Sequence, residues 1–115
     1  MKYMSPVTYP WSKPESGECP VAHTLRLLGS KHGPSVLHCL IGREMHFLEL
    51  ERALSGVSRK VLKEQLQVFQ DNGLVLRRQK SDARRRVGYS LTCKGQALGT
   101  ILSQIFDWSL EYQDA

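Results

Sequence analysis

Residues 46–73, HFLELERALSGVSRKVLKEQLQVFQDNG, constrain the fold more than any other part of the chain. Apolar residues recur at helical spacing in both halves of this stretch. Those of the first half are Phe47, Leu50 and Leu54, and those of the second half are Leu62, Leu66 and Phe69. Between them, the segment SGVS supplies a break at Gly56 and an N-cap at Ser58. Two helices joined by so short a glycine-containing turn predict a helix-turn-helix.

Signals for further elements flank this helix-turn-helix on both sides. Two earlier segments, Pro20 to Gly29 and Pro34 to Gly42, each begin at a proline and end at a glycine, which predicts two helices. Downstream, LVLRRQK and RRVGYSLT surround the turn residues SDA and predict a β-hairpin. A long helix is expected from Cys93 to about Tyr112. This order predicts an α+β, mainly α fold: a winged helix-turn-helix with a two-stranded wing and a long C-terminal dimerisation helix.

The length of 115 residues predicts a single domain. Prolines at 6, 10 and 14 exclude a regular helix, so residues 1–18 are expected to form an extended arm and residues 19–115 the winged helix-turn-helix domain. No apolar run reaches the roughly 18 residues that a membrane-spanning helix needs. The chain also begins without the apolar centre of a signal peptide, and its three cysteines form no CxxC pair. These features predict a cytoplasmic protein with reduced thiols.

The segment RRQKSDARRR, residues 77–86, holds six basic residues and one acidic residue. Its formal charge of +5 equals the net charge of the whole chain. DNA carries about one negative charge per 1.7 Å of its axis. Arginines concentrated on a projecting hairpin therefore predict contact with phosphates or with a minor groove. The alternative is a charged strand edge that only prevents aggregation.

Arg59, Lys60 and Lys63 lie in the first turns of the second helix of the helix-turn-helix, where positive charge opposes the helix dipole at a cost of about 0.3–1 kcal/mol each. Together with Gln67 they lie opposite the apolar face, as in a recognition helix that enters the major groove by its N-terminal end. The alternative is a polar surface that faces only water. The predicted DNA-binding residues of helix and wing are Ser58, Arg59, Lys60, Lys63, Gln67, Lys80, Arg84, Arg85 and Arg86.

Three segments carry a resemblance to a known family: ECPVAHTLRLLGSKHG, the helix-turn-helix with the GLVLRRQ that follows it, and RRVGYSLTCKGQAL. From residue 18 to about residue 110 the chain resembles the HxlR-type regulators, MarR-like winged-helix transcription factors of bacteria and archaea. The resemblance implies a homodimer that binds a palindromic double-stranded DNA operator. It also implies a response to oxidants or electrophiles, because several members sense them through the cysteine that corresponds to Cys19.

The chain departs from the family pattern at two places. His32-Gly33-Pro34 stands where the family usually has a tryptophan after Gly-x-Lys, so the start of the second helix is expected to be rebuilt. Gly88 stands where the family tends to carry an acidic residue before the tyrosine of the wing. Neither departure touches the predicted DNA-binding residues.

Cys19 precedes Pro20 at the start of a helix, where the positive end of the helix dipole stabilises a thiolate. This position predicts a redox-sensing thiol, and the alternative is a capping residue without chemistry. Cys39 lies between apolar residues and is expected to be a half-buried filler, with a resolving thiol as the alternative. Cys93, which begins the last helix, is a weaker candidate for the same kind of chemistry.

The last helix carries a heptad seam of apolar residues and a second apolar stripe beside it. The seam consists of Leu98, Ile101, Ile105, Trp108 and Tyr112, and the stripe of Leu102, Phe106 and Leu110. A domain of this size needs no helix with so wide an apolar surface for its own core, so one of the two is predicted to face the partner in a homodimer. Gly95 and Gly99 predict that another backbone approaches this helix closely.

The sequence contains no catalytic constellation and no local spacing of histidines and cysteines that suits a metal ion, so neither an enzyme, a metal site nor a cofactor is predicted. The preferred function is a sequence-specific, homodimeric DNA-binding transcriptional regulator that responds to oxidants or electrophiles through Cys19. One alternative is a regulator controlled by a non-covalent small ligand held between the first two helices and the last. Another is an architectural or protein-interaction winged helix that uses its charge without reading sequence.

Overall fold

In a computed structural model, the described residues are 19–81, 84 and 86–113. The helices are α1 (Pro20–Leu28), α2 (Gly33–Cys39), α3 (Phe47–Ala53), α4 (Arg59–Asp71) and α5 (Cys93–Glu111), and the strands are β1 (Met45–His46), β2 (Val75–Gln79) and β3 (Val87–Leu91). One compact unit ends at Lys31 and contains α1, and a second begins at His32 and contains all the other elements. The arm expected for residues 1–18 lies outside the described residues.

Helix α1 has the predicted ends. Cys19 is its N-cap with extended backbone, Pro20 occupies the first turn, and Gly29 is the C-cap, with its N–H donating to the carbonyl of Arg26. Proline suits this position because its fixed φ matches the helix and the N–H that it lacks would have no partner there.

Helices α2, α3 and α4 pack around one apolar core. The most deeply buried side chains are Val36, Leu37, Leu40, Leu50, Leu62, Leu66, Phe69 and Leu74. Ser58 caps α4 as predicted, since its hydroxyl accepts a hydrogen bond from the N–H of Val61 at 3.1 Å. Gly73 ends the segment with a φ of +73°, a conformation that glycine adopts without strain. The predicted helix-turn-helix is therefore confirmed.

The sheet has three antiparallel strands in the order β1-β3-β2, so the predicted hairpin is joined by a strand that the sequence did not indicate. Met45 pairs with Tyr89, and His46 pairs with Gly88. Two residues are too few to show the alternation of apolar and polar side chains that marks a strand. His46 is also the N-cap of α3, so its sequence position suits a helix start equally well. In β3, Gly88, Tyr89 and Leu91 are buried, whereas Val87 and Ser90 are half-buried.

Helix α5 is fixed to the end of the hairpin at its N-terminus. The hydroxyl of Thr92 accepts from the N–H of Gly95 at 3.0 Å and donates to the carbonyl of Gly73 at 2.6 Å. A Cβ on Gly95 would overlap the carbonyl oxygen of Leu74, and one on Gly99 would lie 3.1 Å from the Ile41 side chain. At Gly95 the approaching group is a backbone carbonyl, as predicted, whereas at Gly99 it is the Ile41 side chain. Both groups belong to the same chain.

Candidate nucleic-acid interface

Helix α4 presents a basic surface on the side opposite the core. Leu62, Leu66 and Phe69 are buried, whereas the predicted DNA-contacting residues of the helix are all exposed. These are Ser58, Arg59, Lys60, Lys63 and Gln67. The arrangement is that of a recognition helix, whose N-terminal residues reach base edges while its apolar side holds it to the domain.

Arg59 is held in place by groups on α3. Its Nη2 and Nε lie 2.9 and 3.2 Å from the two carboxylate oxygens of Glu51, and its guanidinium lies 5.8 Å from the centre of the Phe47 ring. The Arg59 hydrogen bond lowers the pKa of Glu51, and the same bond raises the pKa of Arg59. Lys63 Nζ lies 6.0 Å from the centre of the same ring. A bidentate pair orients the arginine fork, so Arg59 is positioned before any DNA binds.

Gln67 also has a partner within the chain. Its side-chain amide donates to the Asp71 carboxylate at 2.9 Å, one helical turn further on. The bond is exposed, as expected for a pair that bridges positions i and i+4 on a helix surface. Contact between the Gln67 amide and an adenine edge would require this exchangeable bond to be replaced.

The cations of the wing lie in two different environments, an exposed turn and a contact with the Glu44 carboxylate. Arg84 and Arg86 are exposed at the turn, and Arg85 lies outside the described residues. The hairpin is closed by a hydrogen bond of 2.7 Å that the N–H of Lys80 donates to the carbonyl of Arg86. Lys80, which is predicted to contact DNA, is part-buried and hydrogen-bonded to the Glu44 carboxylate. Arg78 reaches the same carboxylate at 3.4 Å. The sequence gives no local signal for this contact, because Glu44 and Lys80 are 36 residues apart.

The start of α3 carries a capping box formed by His46 and Glu49, which was not predicted. The His46 N–H donates to Glu49 Oε1 at 2.8 Å, and His46 Nδ1 lies 3.0 Å from the same oxygen. Hydrogen bonds from His46 lower the pKa of Glu49. The sequence does contain a signal for this capping box, because a polar residue is followed three positions later by a glutamate at the start of an apolar run.

The exposed apolar residues of α5 do not include every member of the predicted seam. Leu98 is only 9% exposed and belongs to the core of the chain, so we correct its assignment to a partner-facing surface. Ile101, Ile105, Trp108 and Tyr112 are between 46% and 65% exposed. The Trp108 and Tyr112 rings pack on each other with centroids 5.4 Å apart. Phe106 and Leu110 of the second stripe are exposed as well, so the apolar surface is wider than one seam.

A cleft of about 730 Å³ opens between α2, the end of α3 and α5. Its lining is mainly apolar, with Leu54, Ile105 and Phe106 as large contributors. Pro34, part of the stretch that departs from the family pattern, lines it too. A volume of this size suits a small organic molecule.

The three cysteines lie in different environments. Cys19 is partly exposed at the start of α1 and makes no side-chain cap hydrogen bond, and Cys93 is exposed. Cys39 is buried, and burial raises the pKa of its thiol. The sequence prediction of a half-buried Cys39 therefore understated its burial.

Within residues 19–81, 84 and 86–113, no three His, Cys, Asp or Glu side chains are grouped so as to hold a metal ion. No helix in these ranges is long and apolar enough to cross a membrane.

Comparison with known proteins identifies the family. A model described as HxlR-like helix-turn-helix matches residues 27–115, which is most of the chain. The chain belongs to this family. It is therefore a DNA-binding transcriptional regulator of the helix-turn-helix type and not an enzyme.

Individual known proteins are similar to this chain over most of their length. The chain is 34% identical over 95 residues to a protein of Fusobacterium mortiferum named as the regulatory protein MalR, covering 82% of this chain and 90% of that one. The redox regulator HypR in its reduced form has a TM-score of 0.77 and 28% identity, covering 83% and 94% of the two chains. Reduced YodB of Bacillus subtilis, a transcriptional regulator, has a TM-score of 0.74 and 28% identity, covering 80% and 91%.

Proposed function

We propose that this HxlR-family regulator binds a palindromic operator as a homodimer in the cytoplasm and reads its sequence with α4. The observation that carries the proposal is the division of α4 into two faces. Leu62, Leu66 and Phe69 attach the helix to the core, while Lys60 and Gln67 project from the opposite side. Lysine suits the acceptors of guanine and glutamine suits adenine in the major groove.

The wing and the recognition helix are expected to contribute in different ways. Arg84 and Arg86, exposed at the wing, supply charge that any duplex attracts, and we assign Arg85 the same role from the sequence. Arg59 and Lys63 form a second phosphate-contacting group beside Phe47. Ser58 has a hydroxyl proton available for a phosphate oxygen while its oxygen caps the helix.

The dimer is proposed from the exposed part of α5. Ile105 and Trp108 remain 46% and 64% exposed in the single chain, and Ile101 and Tyr112 continue the same seam. Water-exposed isoleucine and tryptophan on one helix face favour burial against a second copy. Two recognition helices would then read half-sites about one helical turn apart.

A footprint on the DNA around its own transcription unit tests this function. We expect protection of one palindromic segment, with binding to random duplex weaker by at least about a thousandfold. Arg84→Ala with Arg86→Ala should weaken binding to all sequences, whereas Gln67→Ala should reduce discrimination between operators by about 1–3 kcal/mol. Uniform protection of any duplex would favour the architectural alternative.

For the signal, we propose covalent modification of Cys19. Cys19 is partly exposed, and its side chain makes no hydrogen bond that caps α1. The thiol is therefore accessible to a reagent and is not needed to cap the helix. Two similar proteins support the choice: HypR is described as a redox regulator in reduced and oxidised forms, and YodB has a diamide-treated structure. A quinone would add to the sulfur, forming a carbon–sulfur bond while the thiol proton passes to the quinone oxygen.

The response to a quinone or diamide separates the candidate thiols. We expect a change in operator affinity of about 1–3 kcal/mol in the wild type and none in Cys19→Ser, with unchanged basal binding. Cys93→Ser is the matched control, because Cys93 is also exposed at a helix start. Cys39 is disfavoured, since burial raises the pKa of its thiol and lowers the thiolate fraction.

A non-covalent effector is the second candidate, and the cleft between α2, α3 and α5 favours it. Its lining by Pro34 and Phe106 gives an apolar site beside the proposed dimer helix. If Cys19→Ser still responds to the added compound and the further change Phe106→Ala removes the response, the effector acts through the cleft and not through the Cys19 thiol.

A further inference from the structure

Glu44 joins two basic residues of the wing. Its Oε1 accepts a hydrogen bond from Lys80 Nζ, and its Oε2 lies 3.4 Å from Arg78 Nη2. The Glu44 and Lys80 side chains are only 26% and 29% exposed, so this contact is better shielded from water than an ordinary surface ion pair. The hydrogen bond from Lys80 is the largest of the influences that lower the pKa of Glu44. Both wing cations are therefore partly neutralised by a carboxylate of the same chain, Lys80 in a shielded contact and Arg78 in an exposed one.

Gly88 provides the space for this carboxylate. It lies on the central strand, paired with His46 on one side and with Arg78 on the other. A Cβ at this position would be 2.7 Å from Cδ and Oε2 of Glu44. Glycine in a strand interior has no side chain to pack and often marks a close approach of another group. The absence of a side chain at Gly88 thus allows Glu44 to reach across β3 to β2.

The position of this contact matters because it divides the charge of the wing. Lys80 precedes the turn, and Arg78 lies on the same face of β2 two residues earlier. Arg84, at the turn, is exposed. Non-specific affinity for DNA depends on the number of cations that reach phosphates. A carboxylate among Arg78 and Lys80 reduces that number and repels phosphates.

We propose that Glu44 is a specificity-determining residue, which withholds Arg78 and Lys80 from the DNA backbone through the space left by Gly88. The inference rests on the proposed sequence-specific binding and adds to it a residue that does not read bases. Glu44 keeps affinity for random duplex low, so that discrimination depends on α4. The wing then contacts DNA mainly through its turn, where Arg84 is exposed.

Two variants test the proposal by different routes. Glu44→Gln removes the charge, and Gly88→Ala keeps the charge but displaces the carboxylate, which is the movable end of a flexible side chain. Binding to an operator selected from a random pool by the wild type, and to random duplex, would be measured by fluorescence anisotropy at several salt concentrations. Both variants should bind random duplex more tightly. The salt slope should steepen by about 0.9 for each cation that gains a phosphate.

The ratio of operator to random-duplex affinity should fall in both variants, with the larger change in Glu44→Gln. Glu111→Gln, which removes an equal charge from the last residue of α5, should behave as the wild type. Unchanged affinity for random duplex in Glu44→Gln would overturn the proposal. Weaker binding to both DNAs would also overturn it, because Glu44 would then act by orienting the wing.

A titration of the Glu44 carboxyl by NMR reports on the contact without DNA. Its pKa should lie below the ordinary glutamate value in the wild type and rise toward that value in Gly88→Ala. An ordinary pKa in the wild type would mean that the contact does not form. A wild type with a low pKa but no preferred operator would instead refute the proposed function, while the random-duplex measurements would still decide whether Glu44 withholds the two cations.

Discussion

Helices α4 and α5 both carry apolar residues at helical spacing, but they bury them to different extents. In α4, Leu62, Leu66 and Phe69 are at most 1% exposed. In α5, burial is confined to the first two turns, at Gly95, Leu98 and Gly99. From Ile101 onward the apolar side chains of α5 are exposed or half-buried. The same pattern in the sequence thus supplies core residues in α4 and an exposed apolar surface in the C-terminal part of α5.

This difference shows why periodicity alone does not identify the partner of an apolar face. Helix α4 lies between α2 and the sheet, so its apolar stripe meets side chains on the same chain. Helix α5 is anchored by Thr92 and Gly95 at one end and extends 19 residues, a length that carries its C-terminal half beyond this core. The hydrophobic effect favours burying both faces, and for α5 we propose that a second copy of the chain does so.

The largest expected effect comes from breaking the buried face of α4. Phe69→Ala removes a fully buried aromatic ring and should lower the free energy of unfolding by about 3–5 kcal/mol, measured by urea denaturation. Val68→Ala, at the neighbouring exposed position of the same helix, is the control and should change it by less than about 1 kcal/mol. Similar losses for the two variants would show that α4 is not held by its Phe69 side.

The exposed face of α5 should respond differently. Ile105→Ala combined with Trp108→Ala should weaken dimer association by at least about 2 kcal/mol, because large apolar side chains at an interface centre carry much of its binding energy. Sedimentation should show monomer, while the helical content of each chain is retained. Gln104→Ala, a polar exposed neighbour, should leave the dimer intact. A wild type that is monomeric at micromolar concentration would contradict the proposed interface.

The N-caps of the two helices sharpen the comparison on a smaller scale. Ser58→Ala removes one capping bond and should cost about 1 kcal/mol. Thr92→Ala also removes the bond that the hydroxyl donates to Gly73, so its cost should be greater by about 0.5–1.5 kcal/mol. Thr92→Ser retains both bonds and should restore most of the loss in a thermal unfolding experiment. Equal costs at the two caps would mean that the Gly73 bond contributes nothing.

The smallest expected effect concerns the ion pair between Arg59 of α4 and Glu51 of α3. The hydrogen bond from Arg59 holds the pKa of Glu51 below its usual range, so the unfolded chain takes up the proton first as pH falls. The contribution of the pair is present at neutral pH and declines from about pH 4.3, the ordinary glutamate value, through the lower folded pKa. Glu51→Gln should flatten the acid side of the stability profile, measured by urea denaturation at several pH values. An unchanged profile in Glu51→Gln would contradict the contribution of the pair.

Local signals in the sequence account for most of the secondary structure. Ser58 caps α4, Pro20 starts α1, and Gly73 ends the α4 segment, because capping and backbone preferences act within a few residues. The hairpin and the long last helix follow from local periodicity in the same way. The strand β1 was missed, since its two residues gain their conformation from pairing with β3 and not from a pattern of their own.

The sequence by itself determined that this chain is a basic winged helix-turn-helix, with its charge in the wing and at the start of α4. Only the tertiary structure decided which of those cations are already paired. Arg59 meets Glu51 across the helix-turn-helix, and Lys80 meets Glu44 across the sheet. It also placed Leu98 inside the chain and Trp108 outside it. The physical reason is that pairing and burial depend on strand register and helix packing, which bring together residues that no local spacing relates.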